Sequence, residues 1–450
     1  MQIATFVCDV TPPPGSPLCL GLVPSSVGVT DPLSCRGVVL LGDGDPIVLA
    51  ALDWVEVRAS GHRRWREALA HAAGTTPERV AVQTLHQHDA PGYDPDGERV
   101  MAARGMPGRG YHARFAQQAI DDAVAAVQAA LGQPETVTDI GVGAAAVHRV
   151  ASSRRVLGAD GRVAHVRHSS ERDPEWRAAP EGVIDPLVRV ISFWQDERPA
   201  AVLSYYATHP QSYYYQRRAS CDFVGLAREQ AQADLPARAV WTHFCGAGGD
   251  VTAGKYNDGS PGNRPVLAGR LADGLRQAFA ESARHRSPLA GIGWESVSVT
   301  LPLADHVLGD RPEEIFADNP SFYNAERVGW TARAAGGAEV DVSCLRLDHA
   351  EGQARVLHAP GELFVEYQLA AQALRPDLFV AMAAYGDCGP GYIGTRLAYG
   401  QGGYETSHVS WVGPGSEDVL FPAIGQLLDA DPSGAQTPSD IAASAPRLDA

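Results

Sequence analysis

Lysine is almost missing from this sequence: Lys255 is the only one among 37 basic residues, which face 53 acidic ones for a formal charge of −16. A surface of that sign repels phosphate backbones and anionic lipid, so nucleic acid is not an expected partner. Also absent is any C-x-x-C spacing. The seven cysteines (Cys8, Cys19, Cys35, Cys221, Cys245, Cys344, Cys388) are odd in number and scattered, which suggests neither a disulfide framework nor a cysteine zinc site. No run of about 18 apolar residues occurs, so stable membrane insertion is not expected. Met1 leads straight into an apolar run without a basic n-region or a cleavage site, and the expectation is a soluble, cytoplasmic protein. The Gly-Lys-Ser/Thr signature of a phosphate loop is missing too.

What is present is a large core. The 450 residues are 45% apolar, 20% charged and 7% aromatic, which excludes a disordered or collagen-like chain. No repeat or linker divides them, so one domain over residues 1–429 is expected, followed by an Ala-, Ser-, Pro- and Asp-rich disordered tail at 430–450. Apolar runs at 3–10 and, around a turn at 42–46, at 37–54 read as strands, with 47–52 apolar throughout and hence buried. Helical periodicity over 63–73, closed by Gly74, followed by a strand at 79–85, makes a βαβ unit. A helix at 115–131 and a strand at 136–147 precede an arginine-rich stretch, 149–185, read as a loop or lid. Strands at 187–194 and 200–206, a helix at 223–233, a strand at 238–244, a glycine loop and a helix at 266–281 continue the alternation. Strands near 294–301 and 340–358, a helix at 363–374, a strand at 378–384 and a helix at 418–428 complete it. The fold class is α/β, with mixed sheets flanked by helices.

Five segments can carry chemistry. His86-Gln87-His88 ends the strand at 79–85. Residues two apart on a strand share a face, about 6–7 Å from each other, so the two imidazoles can converge on one metal, or on a metal and its substrate. The competing reading is two exposed loop histidines. His209 ends the strand at 200–206, ahead of Pro210. The loop 245–258 is rich in glycine and suits close backbone approach to a ligand or an oxyanion. Within it, Thr252 reads either as a nucleophile or donor, or as an ordinary turn threonine. Pro360-Gly361-Glu362 opens a helix, where Glu362 also suits the N-terminus electrostatically. Gly391-Tyr392-Ile393-Gly394-Thr395 follows a buried strand.

In this order, from Cys8-Asp9-Val10-Thr11-Pro12 to Gly402-Gly403-Tyr404-Glu405, the segments resemble the catalytic domain of the neutral (non-lysosomal) ceramidase family. The resemblance implies a zinc site made by His86, His209, Glu362 and Tyr392, with His88 beside it. Gly249-Asp250-Val251-Thr252 is similar to the family's Gly-Asp-Val-Ser, so Thr252 falls where the family has its proposed catalytic serine. The family's C-terminal immunoglobulin-like domain and its secretion signal have no counterpart in this sequence. The implied activity is hydrolysis of a small-molecule amide, N-acyl compounds included, rather than of ceramide in particular. Nitrogen and oxygen donors suit Zn2+, which polarises a carbonyl and lowers the pKa of bound water to about 7. In this reading His88 is the general acid or base, Asp250 orients the glycine loop, and Thr252 with the loop N–H groups holds the oxyanion. Two other readings stay open: a two-metal amidohydrolase barrel with Lys255 as bridging ligand, and a non-catalytic relative that binds a ligand in the same cleft.

Overall fold

Strict two-residue alternation in the most apolar strands explains the architecture. In the computed structural model, which describes residues 1–309 and 311–448, a first sheet is built from β1 (Gln2–Asp9), β2 (Ser34–Leu41), β3 (Ile47–Leu52) and β4 (Val80–Thr84), in the order β4-β3-β2-β1, with the two-residue strand Glu135–Thr136 paired along the outer edge of β1. Val48, Ala50 and Leu52 of β3 face one way and Ile47, Leu49 and Ala51 the other, and both sets are buried. Such a strand needs cover on both faces. The outer face packs on α1 (Ala59–Ala73) through Trp65 and Leu69, and on α3 (Ala113–Leu131) through Ile120, Ala123 and Val127; α2 (Pro95–Ala102) lies between them in the chain.

The inner face packs on a second sheet of eight strands. These are β5 (Asp139–Ala146), β6 (Leu187–Gln195), β7 (Arg198–Tyr206), β8 (Val240–Cys245), β9 (Arg286–Val299), β10 (Val340–His349), β11 (Gly352–His358) and β12 (Phe379–Ala383), ordered β8-β7-β6-β5-β9-β10-β11-β12. Ile191, Phe193, Leu203, Leu345 and Val356 meet Val38, Leu40 and Leu49 across the interface. On its far side the second sheet is covered by α5 (Asp222–Gln232) and α6 (Asn263–Arg284), through Phe223, Val224, Leu267 and Leu271. The result is an α/β/β/α sandwich.

Within these two sheets three strand pairs are parallel: β3/β4, β7/β8 and β11/β12. Their carboxyl ends lie together. Thr84 N–H donates to Tyr385 O at 3.0 Å, just beyond β12, and Ala384 N–H donates to Cys245 O at 2.9 Å, at the end of β8. Functional groups of open α/β sheets collect at such ends.

Several sequence expectations need correction. Residues 340–358 form a hairpin, β10 and β11, rather than one strand. The arginine-rich stretch 149–185 is not a free lid. It carries short strands and the helix α4 (Pro174–Ala178), and Arg154, Arg155 and Arg167 in it are buried. Arg167 alone donates to the carbonyls of Ser153, Pro180 and Trp176, so a polar composition conceals a packed segment. Helix α7 (Phe322–Ala335), which no periodicity announced, packs on α2. Beyond α8 (Val365–Leu374) and α9 (Ser416–Leu427), the segment expected as a disordered tail carries α10 (Pro438–Ala443), with a Thr437/Asp440 capping box and Ile441 buried against Ala370 and Phe421. Residues 449 and 450 of that tail lie outside the described residues.

Candidate metal centre

The carboxyl ends of the parallel pairs deliver every segment that the sequence singled out. His86 follows β4, His209 follows β7, the glycine loop follows β8, Glu362 follows β11 and Tyr392 follows β12. His86 does not continue the strand. Its φ is +68°, a left-handed conformation rare outside glycine, so the expected face-sharing of a strand is not what brings His86 and His88 together. Backbone and side chain fix the turn: His86 N–H donates to Trp54 O and its Nδ1 lies 2.9 Å from Val55 O. Tyr385, also left-handed at φ +61°, stacks on the His86 ring with centroids 4.7 Å apart.

His209 is held likewise, with its N–H on Val251 O at 2.9 Å and its Nδ1 at 2.6 Å from Gly248 O. Glu362 sits outside the helix that follows it, in a two-residue strand paired in register with Tyr392. The helix N-terminus therefore does not account for it. Close backbone approach makes this junction possible: a Cβ on Gly249 would fall 2.2 Å from Glu362 O.

His86, His209 and Glu362 are buried, and each offers one ligand atom within 4.8 Å of the others. His86 Nε2 is 3.0 Å and His209 Nε2 is 3.1 Å from the same oxygen, Glu362 Oε2. Both Nδ1 atoms face backbone carbonyls, which only accept, so the hydrogens of the neutral rings sit on Nδ1 and both Nε2 lone pairs point at the carboxylate. Three acceptors aimed at one point repel one another unless a cation lies among them. This donor set fits a zinc ion, including the carbonyl partners that orient metal-binding imidazoles. Without a metal ion the triad draws positive charge from a proton instead. Burial pushes the His86 imidazole down, but Glu362 overcomes this and raises it, and positive charge on the imidazoles in turn outweighs burial and holds the Glu362 carboxyl well below the usual range. Burial and the Arg154 charge push His209 down to about 3.

Tyr392 is placed at this centre, its hydroxyl 3.3 Å from His209 Nε2. Burial raises its phenol well above 10, against the pull of Arg154, so the protein alone keeps the hydroxyl protonated. The two tyrosines that could be confused with it are accounted for: Tyr399 bonds Ser410 and Val412 O instead, while Tyr385 lies over His86. His88 is half-buried with its ring 5.0 Å from that of His86, and its Nδ1 is 3.1 Å from His86 O. Burial, then the neighbouring His86 and His209 imidazoles, which resist a further positive charge, hold it well below the ordinary histidine range.

The glycine loop is less directly engaged. The Thr252 hydroxyl donates to His168 O at 3.1 Å and accepts from Gly254 N–H at 3.1 Å, so it is tied into its own loop. Asp250 accepts from Val365 N–H at 2.9 Å and anchors the loop to the start of α8; burial pushes its carboxyl up to about 6. Lys255 caps α4, donating to Arg177 O at 2.7 Å, and among the described residues it lies in no ligand cluster. With open sheets in place of a barrel, this removes the two-metal alternative.

Sequence reasoning missed Arg154 and Tyr404. Arg154 Nη1 donates to the hydroxyls of Tyr392, at 2.8 Å, and Tyr404, at 2.6 Å, and these hydroxyls are 2.7 Å apart. The only sequence signal for Arg154 was its place in an arginine-rich stretch. A cavity of about 180 Å³ opens onto His86, His88, Glu362, Tyr392 and Tyr404. A larger cleft of about 650 Å³, beside α1 and the end of α7, contains none of these residues.

No protein-family model and no curated protein matches the sequence. Solved structures do match in three dimensions. A ceramidase complexed with C2 aligns with a TM-score of 0.67 at 16% identity, covering 95% of this chain and 74% of that one. The neutral ceramidase from Pseudomonas aeruginosa aligns with the same score and identity, covering 100% of this chain and 78% of that one. The sandwich, with its site at the carboxyl ends of three parallel pairs, is a ceramidase-like fold.

Proposed function

We propose that the chain is a zinc-dependent hydrolase that cleaves a C–N amide bond of a small molecule. The observation that carries the proposal is the convergence of two imidazole lone pairs and one carboxylate oxygen on a single buried point, open to a cavity. The ceramidase-like fold supports the choice of amide over other acyl bonds. His86, His209 and Glu362 would hold the ion, with Tyr392 as a fourth donor. When bound, zinc supplies Lewis acidity, polarising a carbonyl and bringing the ionisation of water near pH 7.

The remaining work falls to the chain's own groups. His88, with Nδ1 turned to His86 O and kept uncharged by its surroundings, can take the proton of the attacking water on Nε2 and return it to the leaving nitrogen. Tyr392 and Tyr404, both oriented by Arg154, can donate to the carbonyl oxygen as negative charge develops there. Burial of the triad excludes bulk water, so these dipoles need no reorganisation during the reaction. The Thr252 hydroxyl, committed to His168 O, supports the loop rather than attacking the substrate.

The test is metal analysis combined with hydrolysis of N-acyl amides of stepped acyl length, with and without chelator. One zinc per chain and activity that is lost on chelation and restored by zinc are expected. Full activity in metal-free protein contradicts the proposal, and a metal-binding chain inactive on every amide would favour the ligand-binding reading instead.

A further inference from the structure

Part of the cavity wall beside the triad is charged, which an apolar acyl chain does not need. Glu56 and Arg58, in the segment after β3, and Glu326, from α7, line it; all three are at most 7% exposed. Arg58 Nε donates to Glu56 and lies 3.3 Å from Glu326 Oε1. That single N–H serves Glu56, so Glu326 Oε1 is left without a hydrogen bond, and so is Arg58 Nη1. Glu56 has Arg58 on one side and His86 Nδ1 at 3.9 Å on the other, so Glu326 is the carboxylate short of a partner, and a buried unpaired charge is costly. Burial accordingly pushes the Glu326 carboxyl well above its usual range, against the pull of Arg58. The wall also carries aromatic faces suited to a cation: Arg58 Cζ already sits 4.7 Å from the centroid of the Trp411 ring, and Tyr323 lies 5.9 Å from that ring.

We infer that Glu56 and Glu326 form a cation subsite, so that the amide processed here carries an ammonium group near its scissile bond. This rests on the amidase reading above. An ammonium completes a second ion pair and gives Glu326 Oε1 its missing donor. A carboxylate ligand would meet two carboxylates. A long alkyl chain would bury itself against a charged wall and leave the mismatch uncorrected.

The experiment uses the zinc-loaded full chain and two isosteric pairs: N-(4-aminobutyl)acetamide against N-pentylacetamide, and 6-amino-N-methylhexanamide against N-methylheptanamide. In at least one pair the cationic member should have the higher kcat/KM by on the order of a hundredfold, mostly through KM. Glu326→Gln should shrink that ratio below about tenfold. Equal or reversed preference in both pairs overturns the subsite. Should neither pair be hydrolysed, the stepped amide series above decides the amidase reading, and calorimetry with n-butylammonium against 1-butanol still decides the inference. Binding of the ammonium alone, weakened in Glu326→Gln, supports the subsite, and no binding overturns it. Where Glu326→Gln does not fold, Glu56→Gln, which neutralises the other carboxylate of the subsite, should shrink the ratio in the same way.

Discussion

Two buried carboxylates in this molecule are surrounded by nitrogen, and they are finished differently. Asp53, fully buried at the end of β3, receives both arms of Arg228, at 2.5 and 2.9 Å, together with the N–H and hydroxyl of Ser34, at 2.7 and 2.8 Å. Both its oxygens are used and its charge is matched by a bidentate partner. Glu362 meets two imidazoles on one oxygen, with lone pairs facing it, and the set is complete only with a cation. The first arrangement holds β3 to α5. The second is poised to bind.

The largest effect should come from breaking the finished pair. Asp53→Ala leaves the Arg228 guanidinium buried without its partner, and denaturation in urea should show a loss of about 3–5 kcal/mol. The pair also has a pH signature. Burial pushes the Asp53 carboxyl up, but Arg228 overcomes this and the folded-state pKa lies below the ordinary value. Its contribution is therefore fully present above the unfolded value of about 3.9 and lost as pH falls through the lower folded one. Acid titration at fixed urea should show that loss below about pH 4 in the unmutated protein, and a smaller one in Asp53→Asn.

Breaking the unfinished set should spare the fold and abolish binding. His86→Ala or His209→Ala should remove zinc and hydrolysis together, while Glu362→Gln, which keeps an oxygen donor, should weaken zinc binding less. Metal content by mass spectrometry checks this, and normal stoichiometry in either alanine variant counts against the ligand set. Next in size, Tyr392→Phe deletes one oxygen at the centre. Turnover should fall by about 10²-fold, with a stability change near 1 kcal/mol. Thr252→Ala should matter least, costing about 1 kcal/mol for its loop bonds and less than tenfold in rate. An acyl-enzyme trapped on Thr252 would contradict that placement.

The contrast also explains what was legible beforehand. Apolar strands followed by glycine or proline mark their own ends, so the segments of His86, His209, Glu362 and Tyr392 could be placed there, while the choice of these four side chains as ligands rested on the resemblance to the ceramidase family. The turn that aims His86 was not legible, because a left-handed histidine leaves no compositional trace. Arg154 was hidden for a related reason: arginine predicts surface, and only the tertiary fold shows that Arg154 is buried between two tyrosine hydroxyls. The helix that carries Glu326 has buried polar residues, Asn324, Glu326 and Arg327, where an amphipathic stripe would be apolar, so periodicity passed over it.

We propose the unfinished carboxylate, Glu362, as part of a metal site. Calorimetric titration of zinc into chelator-treated protein tests it most directly, alongside the same titration of His209→Ala. The expected result is one tight site per chain that disappears in the variant; no binding, or binding that survives His209→Ala unchanged, would contradict it.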